Sequence, residues 1–217
     1  EELPAEIIDM ANTDELLALD NLTHTAAFTC TKNRFGSCRA RGILVSTPKP
    51  VVIAENYFAS SGSAILVAGD ANYWFESGEC HDVEICGNTF TDTCLSSMYQ
   101  FCDGMISICP VVPEPDVNLP FHKHIRITGN TFDSPDTPVL YAYSTADLTF
   151  TGGTVRAVTR TEAAAANEMK AETITGDIIN DSVHARNLRV EERLGVEIEL
   201  IERPGSWNDR TAYTAII

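Results

Sequence analysis

The residues best equipped for chemistry lie in the run G-S-A-I-L-V-A-G-D-A-N-Y-W-F-E-S-G, from Gly62 to Gly78. A short apolar stretch, Ala64 to Val67, ends at Gly69-Asp70; Asn72, Tyr73 and Trp74 follow, then a second acid, Glu76. Two carboxylates beside an aromatic pair suit a sugar pocket, because carboxyl groups exchange protons and flat rings stack on the apolar face of a pyranose. The same residues have a purely structural use, since Gly-Asp is common turn chemistry and Tyr-Trp-Phe also fills cores. Asp82, Asp92 and Asp103 stand further along, and Asp82 reads as a loop acid just before a strand. Asp70 and Asp92 are 22 residues apart, close to one coil of the repeat described next. Neighbouring strands lie about 4.8 Å apart, so this spacing predicts that the two acids meet and that their pKa values split into an acid/base pair. Glu76 and Asp103 are candidates to assist. Arg39 and Arg41, in C-R-A-R-G, are expected to bind sugar hydroxyls or to pair with Asp70. Asn72, Tyr73, Trp74 and His122 complete the expected substrate contacts.

What must position these residues is a repeat. The template apolar-x-apolar-x-x-Asn-x-Phe reads Phe28-x-Cys30-x-x-Asn33-x-Phe35, Val51-x-Ile53-x-x-Asn56-x-Phe58, Val83-x-Ile85-x-x-Asn88-x-Phe90 and Ile125-x-Ile127-x-x-Asn130-x-Phe132. A decayed copy is Leu148-x-Phe150-x-x-Gly153-x-Val155. A second apolar strand follows each of the first four: Ile43–Val45, Ala64–Val67, Met105–Ile108 and Val139–Tyr141. A period in the low twenties with short strands and turns predicts an all-β chain, a parallel β-helix with Val and Ile inside and Asn stacked at a corner. Copies are separated by 23, 32, 42 and 23 residues, so the two long gaps hold insertions, around Gly69–Gly78 and Cys94–Pro115. Insertions of this kind build walls on one side of a solenoid, and a rigid β wall is good support for a site. Residues 1–21 read as a lead-in, 22–155 as the solenoid and 156–217 as irregular coils or tail. Thr161–Lys170 reads as a short helix or connector, and Ile174–Ile179, Asn187–Val190 and Val196–Ile201 read as further β segments.

Composition narrows the function. The 217 residues carry a net charge of −16, which argues against nucleic acid and anionic membrane surfaces as partners. No apolar run reaches membrane-spanning length, and Glu1-Glu2-Leu3-Pro4 lacks the regions of a signal peptide, so a mature form or an excised piece is expected. The seven cysteines form no CxxC pair and read mostly as reduced core thiols, with at least one free or paired between chains. His122 and His124 alternate and would share a strand face, but no Cys or acid stands at zinc spacing. Neither a Gly-rich phosphate loop nor a Gly-x-Ser-x-Gly elbow occurs. Neither metal nor cofactor is expected.

At C-R-A-R-G-I-L-V-S-T, at Gly62–Gly78 and at S-S-M-Y-Q-F-C-D-G-M-I-S-I, over about Leu22 to Val155, the chain resembles glycoside hydrolase family 110. That resemblance implies a right-handed parallel β-helix with loop insertions on one side, and an inverting, metal-independent exo-α-1,3-galactosidase. The implied partner is an oligosaccharide or polysaccharide with terminal galactose; secretion or a periplasmic location and a homodimer are implied as well. The family's catalytic aspartates carry over to Asp70 and to the stretch Thr91-Asp92-Thr93, where Asp92 is the one acid in place of the family's pair. Family enzymes are much longer than 217 residues. A non-catalytic glycan-binding or assembly module is the alternative. A polysaccharide lyase fits less well, because it wants a calcium site and a basic residue over an otherwise acidic cleft.

Overall fold

The computed structural model of the chain describes residues 5, 8, 21–70, 73, 74, 76, 78–98, 101–112, 115–133, 137–160 and 170–203, with 158–160 and 203 described by backbone alone. Every third strand along the chain lies side by side. β1 (Phe28–Thr31), β4 (Val51–Ala54), β7 (His81–Cys86), β10 (His122–Thr128) and β13 (Thr145–Thr151) form one sheet in that order. The strands that follow them are β2 (Arg34–Gly36), β5 (Tyr57–Ala59), β8 (Thr89–Phe90), β11 (Thr131–Asp133) and β14 (Thr154–Arg160), and β15 (Glu197–Arg203) joins this second sheet beyond β14. A third sheet holds β3 (Arg41–Val45), β6 (Ser63–Val67), β9 (Ile106–Ile108) and β12 (Leu140–Ala142). All neighbouring strands are parallel, and the register matches template position to template position, as in Phe28↔Val51↔Val83↔Ile125.

The template explains this arrangement. The residue before each corner position, four times Asn and last Gly153, turns the chain through left-handed φ: Lys32 at 60°, Glu55 at 54°, Gly87 at 61°, Gly129 at 62° and Gly152 at 63°. Glycine takes that conformation without a Cβ penalty, and three of the five use it. Each corner Asn then satisfies the turn of the preceding coil. Asn56 Oδ1 accepts from the Asn33 N–H at 2.9 Å, Asn88 Oδ1 from Asn56 and Asn130 Oδ1 from Asn88 at the same distance. The amides of Asn56, Asn88 and Asn130 donate back to Cys30, Ile53 and Ile85 carbonyls at 2.8, 2.9 and 2.9 Å. The ladder stops at Gly153, where a Cβ would lie 2.9 Å from the Asn130 carbonyl oxygen. Two residues past each Asn, Phe35, Phe58, Phe90 and Phe132 stack inward with centroids 4.9 to 5.0 Å apart. Val155 takes that position in the last copy, and Phe150 ends the stack at 5.9 Å. Such ring pairs add about 0.5–1.5 kcal/mol each beyond area burial. One core runs the length of the stack, with Val51, Ile53, Ile65, Val67, Val83, Ile85, Ile106, Ile108 and Ile125 fully enclosed.

Beyond β14 the sequence expectation fails in part. Ile178–Leu194 is a helix, α1, in place of the strands expected at Ile174–Ile179 and Asn187–Val190. Its end signals decide the matter over the short apolar alternation. The Asp177 side chain accepts from the Ile179 and Asn180 N–H groups at 3.0 and 2.9 Å, and Gly195 closes the other end at φ 59°. The expected segment Val196–Ile201 is matched by β15, which begins one residue later and pairs with β14 along its whole length. Within Thr161–Lys170, residues 161–169 lie outside the described residues. Among the described residues no helix is long and apolar enough to cross a membrane.

Candidate carbohydrate-active site

In the third sheet the outward face of the two middle strands, β6 and β9, is covered. In β6 every residue is buried: Ile65 and Val67 face the core, while Leu66 packs outside it with Ala68, Cys102 and Cys109. Loops entering and leaving this sheet supply the cover. The loop leaving β6 is tied down where Asp70 Oδ1 accepts the Tyr73 N–H at 2.8 Å and the Asp70 carbonyl accepts the Glu76 N–H at 2.8 Å. These two bonds fold the Glu76 end of the loop back on Asp70. The chain leaving β9 joins the same edge, with Cys109 and Val111 N–H groups donating to the Val67 and Gly69 carbonyls at 3.0 and 2.7 Å. Gly69 is required here because a side chain would strike the Phe121 ring.

Between these loops lies a cavity of about 300 Å³ lined by Arg39, Arg41, Asp70, Trp74, Glu76 and Phe101, over a floor of Leu66, Ala68, Cys102 and Cys109. Asp70 is almost wholly buried. Burial, and then the charge of Asp70, hold the Glu76 carboxyl above the usual carboxylate range, and Arg41 pulls it partly back. The site therefore contains an acid that keeps its proton to higher pH than an exposed glutamate, beside a second carboxyl group. Tyr73 meets Trp74 edge-on, with centroids 5.0 Å apart. The Arg41 guanidinium stands over the Phe101 ring at 6.0 Å from its centroid.

Of the expected site residues, the cavity brings together Arg39, Arg41, Asp70, Trp74 and Glu76, with Tyr73 beside them. Asn72 lies outside the described residues. Asp103 is exposed next to the floor, close enough for its charge to raise the Cys102 and Cys109 thiols, both of which burial raises most. Asp92 and His122 lie outside the cavity. Asp92 follows β8, at the second sheet, and its pKa is raised by burial and by Asp133. The loop between β6 and β7 uses up residues, so a separation of 22 carries the chain from the third sheet past the corner of the next coil to the second, not to the equivalent position. His122 is wholly buried under the β6–β7 loop, not in the cavity, and its Nδ1 accepts the Cys80 N–H at 2.9 Å. That bond places its proton on Nε2, and burial pushes its pKa down to about 4. His122 and His124 do not share a face either. His124 sits at φ 56°, outside the strand register, exposed beside Asp147 at 3.3 Å. Cys80 is next to His122, but burial drives its thiol up to about 11, so the pair holds no thiolate.

Sequence reasoning missed Phe101 and the thiol floor. The available signal was the uninterrupted apolar run Ala64–Val67, whose outward Leu66 required a cover. Among the described residues no three His, Cys, Asp or Glu side chains converge as a metal site requires.

Alpha-1,3-galactosidase B of Bacteroides thetaiotaomicron is 43% identical over 193 residues, covering 86% of this chain and 31% of that protein. The chain is a homologue of the alpha-1,3-galactosidases. Alpha-1,3-galactosidase B of Phocaeicola vulgatus is 35% identical over 199 residues, 88% of this chain and 31% of the relative. Alpha-1,3-galactosidase A of Bacteroides fragilis is 42% identical over 140 residues, 63% of this chain and 22% of the relative. The chain thus spans at most about a third of the length of these relatives. In the first comparison the uncovered 14% of the chain is shorter than the stretch before Arg39 or after Val111, so the similarity crosses the whole cavity. No protein-family model matches the chain.

Proposed function

We propose that this chain is the β-helical part of a glycoside hydrolase that removes terminal α-1,3-linked galactose, with Asp70 and Glu76 as its working carboxyl groups. Three parallel sheets joined coil by coil support a solenoid, and parallel crossovers wind right-handed in nearly all proteins. The observation that carries the reading is the cavity itself: two carboxyl groups, two arginines and an exposed tryptophan meet over a rigid sheet in a homologue of alpha-1,3-galactosidases. Glu76, whose proton is held by burial and by Asp70, donates to the departing oxygen. Asp70 in its ionised form takes a proton from water attacking the opposite face of the sugar, and the product anomer is inverted. Trp74 stacks on the galactose ring, and Arg39 and Arg41 bond its hydroxyls.

The chain's span of about a third of its relatives favours one second reading, a domain that holds the glycan without cleaving it. Incubation with α-1,3-galactobiose separates the two. Release of galactose, lost in Asp70→Asn, supports the hydrolase. Binding without release supports the second reading, and neither binding nor release contradicts both.

A further inference from the structure

A second exposed aromatic ring, Phe101, lines the cavity besides Trp74. Phe101 comes from the loop entering β9, a different segment from the one bearing Trp74, yet both rings line the same cavity. Both stand at its mouth: Trp74 is 68% exposed and Phe101 65%. Val111, half exposed, lines the cavity with them. Aromatic rings left open to solvent beside a few polar groups are the usual construction of a ligand site. The two rings are also placed differently with respect to the acids. Trp74 lies within the Asp70–Glu76 loop, and the backbone N–H before it is fixed to Asp70. Arg41 connects Phe101 to the acids: its guanidinium lies over the Phe101 ring and its charge reaches Glu76. A bond cleaved at the acids has a sugar on each side, and the cavity offers an aromatic surface on each of two loops.

We propose that Phe101, with Val111 lining the same cavity and Arg41 in contact with both its ring and the field of the acids, forms a second subsite that binds the pyranose from which the terminal galactose is released. This inference rests on the hydrolase reading for its orientation. Its ligand is a neutral pyranose with an apolar face to stack on the ring and hydroxyls within reach of Arg41. Phe101 is a specificity-determining residue rather than a catalytic one, and it adds affinity for a disaccharide over free galactose.

The test is calorimetric titration of galactose and of α-1,3-galactobiose into the chain in the Asp70→Asn background, which blocks turnover, with and without Phe101→Ala. The disaccharide is expected to bind about tenfold more tightly than galactose when Phe101 is present, the size of effect expected of one aromatic platform. Phe101→Ala removes that preference and leaves galactose affinity within about twofold, and Phe101→Tyr, which keeps the ring, restores it. Because Phe101 is largely exposed, its truncation leaves the core intact. Equal affinity for the two sugars with Phe101 present overturns the subsite, as does an equal loss for both in Phe101→Ala, or no binding of either. A Phe101-dependent preference in a chain that releases no galactose leaves Phe101 as the platform for a second pyranose and removes the hydrolase reading, and with it the subsite's orientation, alone.

Discussion

Glu76 sits where three influences on a carboxyl group meet: burial and Asp70 favour its protonated form and Arg41 favours the anion. If it is the proton donor, activity falls as pH rises through its pKa, so the alkaline limb of kcat/KM reports it. Arg41→Met moves that limb to higher pH and Asp70→Asn moves any residual limb to lower pH; a limb unmoved by Arg41→Met excludes Glu76 from the role. Asp70→Asn itself keeps an oxygen to accept the Tyr73 N–H, so it is expected to fold while kcat falls by about 10²–10⁴. Unfolding curves and rates measured on one preparation check both halves. Residue types were legible in sequence, and pairing was not. Asp70, Glu76, Trp74 and the two arginines stood out because carboxylates, rings and guanidinium groups have few bland uses side by side. Asp92 was misplaced because linear separation counts residues, whereas an insertion spends them outside the coil. His122 reads in sequence as a polar group and is in fact enclosed, its proton position set by one backbone N–H.

At the scale of elements, the Asn corner is both a sequence signal and a structural joint. Asn88 accepts from the backbone and side chain of Asn56 at 2.9 and 3.0 Å and donates to Ile53 and Asn130. Asn88→Ala orphans buried donors on the preceding coil, and each such group costs about 1–3 kcal/mol. Urea unfolding of this variant is therefore expected to show a loss of a few kcal/mol, and a loss under about 0.5 kcal/mol would show that the ladder does not hold the coils. The first four copies were readable because stacking repeats the same demand at each turn, a left-handed φ, an Asn at the corner and a ring facing in, and the fifth keeps only the left-handed φ. α1 was not readable, because its apolar residues alternate over short windows and only Asp177 and Gly195 mark its ends. The thiol floor and Phe101 were hidden for another reason. They reach Leu66 through the pairing of β6 with β9, strands about forty residues apart, and no local pattern announces that pairing.

For the whole molecule, the stack is a rigid wall whose stability carries an acid limit. The folded His122 has a pKa of about 4 against an ordinary 6.5, so the unfolded chain takes up the proton first. Its contribution is fully present above pH 6.5 and is lost as pH falls toward 4, by about 3 kcal/mol in total. An NMR titration of the His122 ring is expected to give a midpoint near 4, and a midpoint near 6.5 would mean that the ring is solvated rather than enclosed. The same wall holds the site, since the floor and two of the loops around the cavity grow from one sheet. What that cavity does to a galactoside therefore decides between a hydrolase and a binding domain. The most direct measurement is proton NMR of α-1,3-galactobiose during incubation with the chain, following the anomeric signals of the first galactose released. β-Galactose is expected first, before mutarotation, with no release in Asp70→Asn; α-galactose first, or release that survives Asp70→Asn, contradicts an inverting hydrolase built on Asp70.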